Sequence, residues 1–337
     1  MNSFGWALVG PGKIAHRFAE AVQRMEGARL IAVHGRDPLR AVAFAQAWSL
    51  DGAPVEVAGD IGSLFSDDRI NAVYIATPHA LHADAIRQCL AAGKPVLCEK
   101  PLVPNHALGL DVVALARQHR VLLMEAVWTR FLPVYTVVGD WLRSGAIGRE
   151  RGIQSSFCID VPFDATSRTH DPAQAGGALL DIGFYNLTMT HWALQAAMGQ
   201  CPPLQSLHAH GVIGPSGVDH RVSATLEFAD DVSSQFICAF DAIADNGFRI
   251  IGELGAICLP MHFWEAIDAE LHIAGKDVVT VHQPFRINGF EGEIEEAMCL
   301  IRRGEIESPL ITHQDTLTTL AWMDRIRNII GVRYPFE

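Results

Sequence analysis

A two-part α/β architecture is predicted, with a doubly wound parallel sheet followed by an α+β domain on a large, mostly antiparallel open sheet. Three observations predict it. Up to about Met124, short apolar runs alternate with amphipathic stretches, the pattern of βαβ units. Beyond residue 200, short segments rich in β-branched residues are separated only by Asp, Gly or Asn turns, the pattern of antiparallel strands. The length, 337 residues, favours two cores over one. The change of pattern puts the division at residues 1–124 and 125–337.

In chain order, strands are predicted at Trp6–Gly10, Leu30–His34, Ala72–Ala76, Pro95–Cys98 and Val121–Met124. After the first, Ile14, Phe18, Ala21, Val22 and Met25 share one helical face, which should pack on the sheet. Further helices are predicted at Pro38–Ala47, Leu81–Ala92 and Asn105–His119. Beyond Glu125 come a helix over Val134–Ser144, a strand over Gly152–Asp160, and a helix opened by Gly176-Gly177 and running through Leu194. Strands follow at 205–213, 220–228, 232–240, 246–252 and 270–274, and helices at Gly292–Arg303 and His313–Ile330 close the chain.

Composition excludes several function classes. Hydrophobic residues make up 49% and charged residues 19%, a globular balance with little room for long disorder. The net charge is −12, with no Lys/Arg block, so no nucleic-acid partner is expected. The seven cysteines are scattered and none forms a CxxC pair, which argues against a disulfide scaffold or zinc ribbon and for a reducing, cytoplasmic setting. No apolar run approaches membrane-spanning length, and the first residues lack the layout of a signal peptide, so no membrane partner is expected.

Four groups of residues carry chemistry. Gly10-Pro11-Gly12-Lys13-Ile14-Ala15 is a GxGxxA turn between a predicted strand and helix. Its first glycine permits the tight turn, its second lets backbone approach a pyrophosphate, and Ala15 allows close helix packing; the motif points to a dinucleotide. The second strand ends in His34-Gly35-Arg36-Asp37. A guanidinium there suits the 2′-phosphate of NADP, so Arg36 is the expected anchor, while Asp37 keeps NAD open. Glu99-Lys100-Pro101 falls at the C-terminal end of a sheet strand, where ligands of open α/β sheets sit. Asp181 and Tyr185 are four apart in a predicted helix and share a face. Two further signals are weaker. His79 and His82 form HxxH without an evident third ligand, so no metal is expected. Trp128, Phe131 and Phe163 suit a core or an aromatic wall of a substrate pocket.

These blocks carry a resemblance. The GxGxxA turn, Ala76-Thr77-Pro78-His79 with His82, Ala91-Ala92-Gly93-Lys94-Pro95 leading to Glu99-Lys100-Pro101, and Gly177-Ala-Leu-Leu-Asp181-Ile-Gly resemble the glucose-fructose oxidoreductase/inositol dehydrogenase (Gfo/Idh/MocA) family over almost the whole chain. Met124-Glu-Ala-Val-Trp128-Thr-Arg130-Phe131, Gly176–Tyr185 and the ending Ile330-Gly-Val-Arg-Tyr-Pro335 are most similar to its dimeric dihydrodiol dehydrogenase and D-xylose 1-dehydrogenase branch. The resemblance implies an N-terminal Rossmann domain, a C-terminal sheet that pairs subunits into a homodimer, and NADP-linked oxidation of a small polyol, aldose sugar or trans-dihydrodiol. It implies cofactor contacts from Gly10, Pro11, Gly12, Lys13, Ile14, Arg36, Thr77, Pro78, His79, His82, Glu99, Lys100 and Arg130. It places Lys100, Tyr185 and Asp181 in catalysis, with Trp128, Phe163 and Arg168 beside Asp181 and Tyr185 at the substrate. Tyr185 stands where many relatives carry histidine, and sequence alone leaves open whether Lys100 or Tyr185 is the acid/base. Alternatives are a sugar or inositol dehydrogenase or an aldehyde/imine reductase using NAD, and a non-catalytic dinucleotide-binding regulator of the same fold.

Overall fold

The computed structural model describes residues 3–337. Among them the chain forms, in order, β1 (Phe4–Val9), α1 (Lys13–Arg24), β2 (Ala28–His34), α2 (Pro38–Trp48), β3 (Glu56–Val57), β4 (Ala72–Ile75), α3 (His82–Ala91), β5 (Val96–Glu99), α4 (His106–His119) and β6 (Leu123–Ala126). There follow α5 (Pro133–Arg143), β7 (Glu150–Cys158), α6 (Phe184–Met198), β8 (Leu204–Ile213), β9 (Asp219–Phe228) and β10 (Val232–Ala239). The last elements are β11 (Phe248–Gly252), β12 (Gly255–Leu259), β13 (Asp268–Ile273), β14 (Val279–His282), α7 (Glu291–Arg303) and α8 (His313–Ile330). Two compact units result: one runs up to Trp128 and takes in Arg286–Leu317, the other holds Thr129–Phe285 and Thr318–Glu337.

The first unit is a six-stranded parallel sheet in the order β3-β2-β1-β4-β5-β6. Strand order reverses beside β1, so the carboxyl ends of β1 and β4 flank the crevice where such sheets take ligands. All six residues of β1 are buried, as expected of a strand covered on both faces. Phe18 of α1 stacks on Tyr74 of β4 at 3.8 Å and meets Trp6 of β1 edge-on. Ile14 departs from the predicted apolar face: it is 37% exposed, and Ala15 and Ala19 pack on the sheet instead. α7 belongs to this unit: Arg17 of α1 donates two hydrogen bonds to the Asn288 carbonyl, and Asn288 Nδ2 donates back to Arg17 O.

The second unit carries an eight-stranded sheet, β14-β13-β12-β11-β7-β10-β9-β8, antiparallel throughout except where β7 and β10 run parallel. Buried and less buried residues alternate along β8, β9 and β10, the mark of a sheet packed on one face. β3, β12 and β14 fall outside the predicted strands. β3 has two exposed residues and β14 is four residues long and largely exposed, so neither carries the buried apolar run by which strands are recognised. The helix expected from Gly176-Gly177 does not open as an α-helix. Its first turn, Leu179–Gly183, is π-helical, and α6 continues to Met198.

Candidate active site

The dinucleotide turn is shaped by its neighbours. Gly10 has φ +97°, and a Cβ there would lie 2.7 Å from the Ala76 backbone, so the turn closes directly on the end of β4. Gly12 differs: a Cβ would meet only Ala76 O at 3.9 Å, so its outer side is open. Gly12 is the N-cap of α1, without a side-chain cap and with no acid in the first turn. Helix N-terminal amides without a side-chain acceptor, at the positive end of the dipole, form an anion cradle. The donor set therefore fits a pyrophosphate. Ala15 is fully buried, as the motif's packing role requires, whereas Lys13 and Ile14 face outward.

The end of β2 lies against this turn. Gly10 N donates to His34 O at 2.9 Å, and a Cβ on Gly35 would collide with the Pro11 ring. Arg36 is exposed and makes no ion pair with any described residue. Asp37 is the N-cap of α2, its Oδ1 accepting from Leu39 N at 3.0 Å and Arg40 N at 3.3 Å.

At the next carboxyl ends, His82 ties two loops together. Its ring is fully buried, with Nε2 2.8 Å from Thr77 O and Nδ1 3.0 Å from Pro101 O. His82 thus anchors backbone on both sides of the strand ends; burial holds its pKa below the usual imidazole range. His79 is buried beside it, with ring centres 5.8 Å apart. The Lys100–Pro101 peptide is cis, and Leu102 N donates to Glu125 Oε1 at 2.6 Å. Glu125 Oε2 in turn accepts from Thr316 Oγ1 at 2.7 Å. Glu99, closing β5, accepts from the Tyr74 hydroxyl at 2.5 Å. Behind it lies Glu293 of α7, fully buried, with neither carboxyl oxygen hydrogen-bonded to a described residue. Burial and the Glu99 charge push the Glu293 carboxyl well above its ordinary pKa, against Arg17. Sequence reasoning singled out neither Glu125 nor Glu293 as a site residue. An acid inside the otherwise apolar strand Leu123–Ala126 is the signal that could have found the first.

Trp128 is also in the first unit, 5% exposed, with the Arg17 guanidinium 4.2 Å above its ring and Phe290 5.3 Å away. The remaining predicted site residues lie in the second unit. Asp181 sits in the π-helical turn, 8% exposed, and accepts two hydrogen bonds from the Arg168 guanidinium at 3.1 and 3.4 Å. Tyr185, in the first turn of α6, is 6% exposed and borders Phe157 and Phe184. Arg130 is buried and donates through Nη2 to Thr188 O at 3.0 Å and Thr188 Oγ1 at 3.2 Å, which pins it to α6. Phe163 is exposed, with its ring beside His170 and His220. The turn, Arg36, the Thr77–His82 loop and Lys100 therefore share the carboxyl edge of one sheet. Arg168, Asp181 and Tyr185 cluster around one helix start.

Comparison with known proteins agrees with this geometry. Residues 4–127 match a family model described as an oxidoreductase family with an NAD-binding Rossmann fold, and residues 135–258 match the GFO/IDH/MocA C-terminal domain. The chain is 32% identical to the human trans-1,2-dihydrobenzene-1,2-diol dehydrogenase and 31% identical to that of Xenopus laevis, each over 98% of this chain, covering 98% and 99% of those proteins. Among solved structures, the aldose-aldose oxidoreductase from Caulobacter crescentus complexed with glycerol superposes with a TM-score of 0.86 at 21% identity. A 3-ketoreductase from Actinomadura kijaniata in complex with NADP and TDP-benzene superposes with a TM-score of 0.85 at 25% identity. Each covers 98% of this chain and is itself covered to 98%. With an uncapped glycine turn at the reversal of a parallel six-stranded sheet, and full-length relatives above 30% identity, the chain belongs to the GFO/IDH/MocA oxidoreductase family.

Proposed function

We propose that this protein is an NADP-dependent dehydrogenase acting on a carbon-borne hydroxyl of a small polyol, aldose sugar or trans-dihydrodiol. One observation carries the reading: the glycine cradle before α1 and Lys100 after β5 stand on the same carboxyl edge of one sheet, at the strand-order reversal. The names of the full-length relatives support the substrate class. The exposed Arg36 supports NADP over NAD, because Asp37 is already engaged as the cap of α2.

In this reading the first-turn amides of α1 hold the pyrophosphate and Arg36 the 2′-phosphate, while Thr77, Pro78, His79 and Glu99 line the nicotinamide side and His82 fixes their loop. When bound, NADP supplies the hydride acceptor. Lys100 and Tyr185 polarise the substrate hydroxyl and relay its one proton away as its carbon is oxidised. Asp181, aligned by Arg168, accepts from a second hydroxyl, Phe163 and Trp128 offer apolar walls, and Arg130 braces α6. Replacing Lys100 by Ala or Tyr185 by Phe is expected to lower kcat by about 10²–10⁴-fold. Affinity for NADPH, followed by its fluorescence, stays within a few fold. Near-normal turnover of a polyol, aldose and dihydrodiol panel in both variants would sink the assignment.

The same reading places the protein in the cytoplasm as a homodimer joined through the open face of the eight-stranded sheet. None of the seven cysteines forms a disulfide, and burial pushes the Cys89 thiol up to about 12, which suits a reducing setting. Among the described residues no helix is long and apolar enough to cross a membrane. A monomer by light scattering removes the dimer.

A further inference from the structure

We infer that Asp219 and Tyr334 are positioning residues: together they brace the Gly176-Gly177 turn and the π-helical turn after it, and so set where Asp181 and Tyr185 stand. The inference rests on the proposed roles of those two side chains.

The π-helical turn Leu179–Gly183 begins without a side-chain cap of its own, since its N-cap residue is Ala178. The first amides of a helix have no intrahelical acceptor. Here the acceptor comes from forty residues away. Asp219, the first residue of β9, is fully buried, and its Oδ2 accepts from Leu179 N at 2.7 Å. Its Oδ1 has no hydrogen-bond partner among the described residues and lies only 2.4 Å from where a Cβ on Gly177 would be. Gly177, at φ +119°, lets the chain pass the carboxylate as only glycine can.

The second prop is the C-terminal segment. The Tyr334 hydroxyl donates to Gly176 O at 2.7 Å, and Tyr334 is 3% exposed. Arg327 of α8 places its guanidinium 4.8 Å from the Tyr334 ring and donates to Asp324 Oδ1 and both carboxyl oxygens of Glu337 at 2.7–2.9 Å. Glu337 Oε2 also accepts from Tyr334 N at 3.1 Å. The chain's last residues are thereby folded back and locked, and they offer the Tyr334 hydroxyl to the glycine turn. The ending Ile330–Pro335, which the proposed chemistry does not use, gains a function.

Asp181 follows Leu179 by two residues and Tyr185 by six, so a shift at the brace is transmitted to both. Misplacing a reacting group by about 1 Å costs on the order of 10²-fold in rate. A buried acid with one unpaired oxygen is otherwise a poor way to stabilise a fold.

The test compares Tyr334→Phe, which removes one hydroxyl and keeps the ring on Arg327, with Asp219→Ala and Asp219→Asn. Tyr185→Phe serves as the control, and turnover, NADPH affinity by fluorescence titration and hydrogen exchange of amides 179–185 are measured for each. Tyr334→Phe and Asp219→Ala should lose about 10–100-fold in kcat, with NADPH affinity unchanged within twofold and faster exchange of those amides. Asp219→Asn, which keeps an acceptor oxygen for Leu179 N, should recover most of the rate. Wild-type turnover in Tyr334→Phe, with Tyr185→Phe inactive, overturns the brace even if Asp219→Ala fails to fold. Wild-type exchange of amides 179–185 in Tyr334→Phe overturns it independently of catalysis. Turnover retained by Tyr185→Phe overturns the proposed site instead.

Discussion

Arg36 and Glu293 make opposite demands on their surroundings. Arg36 has no described partner, and its neighbour Asp37 is occupied by α2, which on the proposed reading favours NADP over NAD. Arg36→Ala should raise the KM for NADP by about 10–100-fold, the worth of a charge-assisted contact, and leave that for NAD nearly unchanged. A parallel loss for both cofactors in steady-state assays would place Arg36 elsewhere. Glu293 is a fully buried acid whose pKa is raised by burial and by Glu99. The folded state therefore holds the proton more tightly than the unfolded chain. The stability this group contributes is complete below the ordinary carboxylate pKa and is lost as pH rises toward the folded value. Glu293→Gln cannot lose it. The urea stability of Glu293→Gln relative to the parent should climb by about 1.4 kcal/mol per pH unit above pH 5 while the acid stays protonated. Parallel stability curves from pH 5 to 8 would show that Glu293 ionises normally.

At the level of elements, the glycine turn before α1 separates two kinds of glycine that the motif writes with one letter. Gly10→Ala forces a Cβ onto the Ala76 backbone at φ +97° and should cost about 1–3 kcal/mol from backbone strain alone. Gly12 has φ −91° and open space beside it. Gly12→Ala should keep the parent's melting temperature within a degree or two and weaken NADPH binding by about tenfold or more, because the new methyl occupies the phosphate's approach. Equal loss of stability in both would make the turn a structural device without a ligand. Elements of this kind were legible in the sequence: β1, α1, β2 and β5 are set by local apolar runs and by glycine and proline punctuation. The π-helical turn was not, because its bonding depends on Asp219, a residue of another strand, and on the C-terminal segment. Asp181 and Tyr185 were nevertheless legible as a pair, since four residues nearly complete one turn in either helix type. β3 and β14 were hidden for a simpler reason: short edge strands bury too little to leave a pattern.

For the molecule as a whole, the change of pattern after Met124 is local and legible, but the return of Arg286–Leu317 to the first unit is not. It depends on contacts with residues far back in the chain. Leu123 N donates to Ile306 O, His313 Nε2 lies 2.9 Å from Leu123 O, and Thr316 donates to Glu125. Arg17 grips Asn288, and Arg302 lies over Phe4. β6, at the sheet's edge, and the Glu125 contact that supports the loop after Lys100 both draw on this returning segment. A fragment ending at Trp128 would leave Glu125, Tyr74 and the α1 face without it. Such a fragment should unfold with a shallow, non-cooperative urea transition and bind NADPH weakly. The same fragment joined by a flexible Gly/Ser linker to residues 286–317 should regain a cooperative transition and most of the parent's NADPH affinity. If the shorter fragment unfolds cooperatively and binds with parental affinity, the returning segment is dispensable. The support of Lys100 would then have to come from residues preceding Trp128 alone.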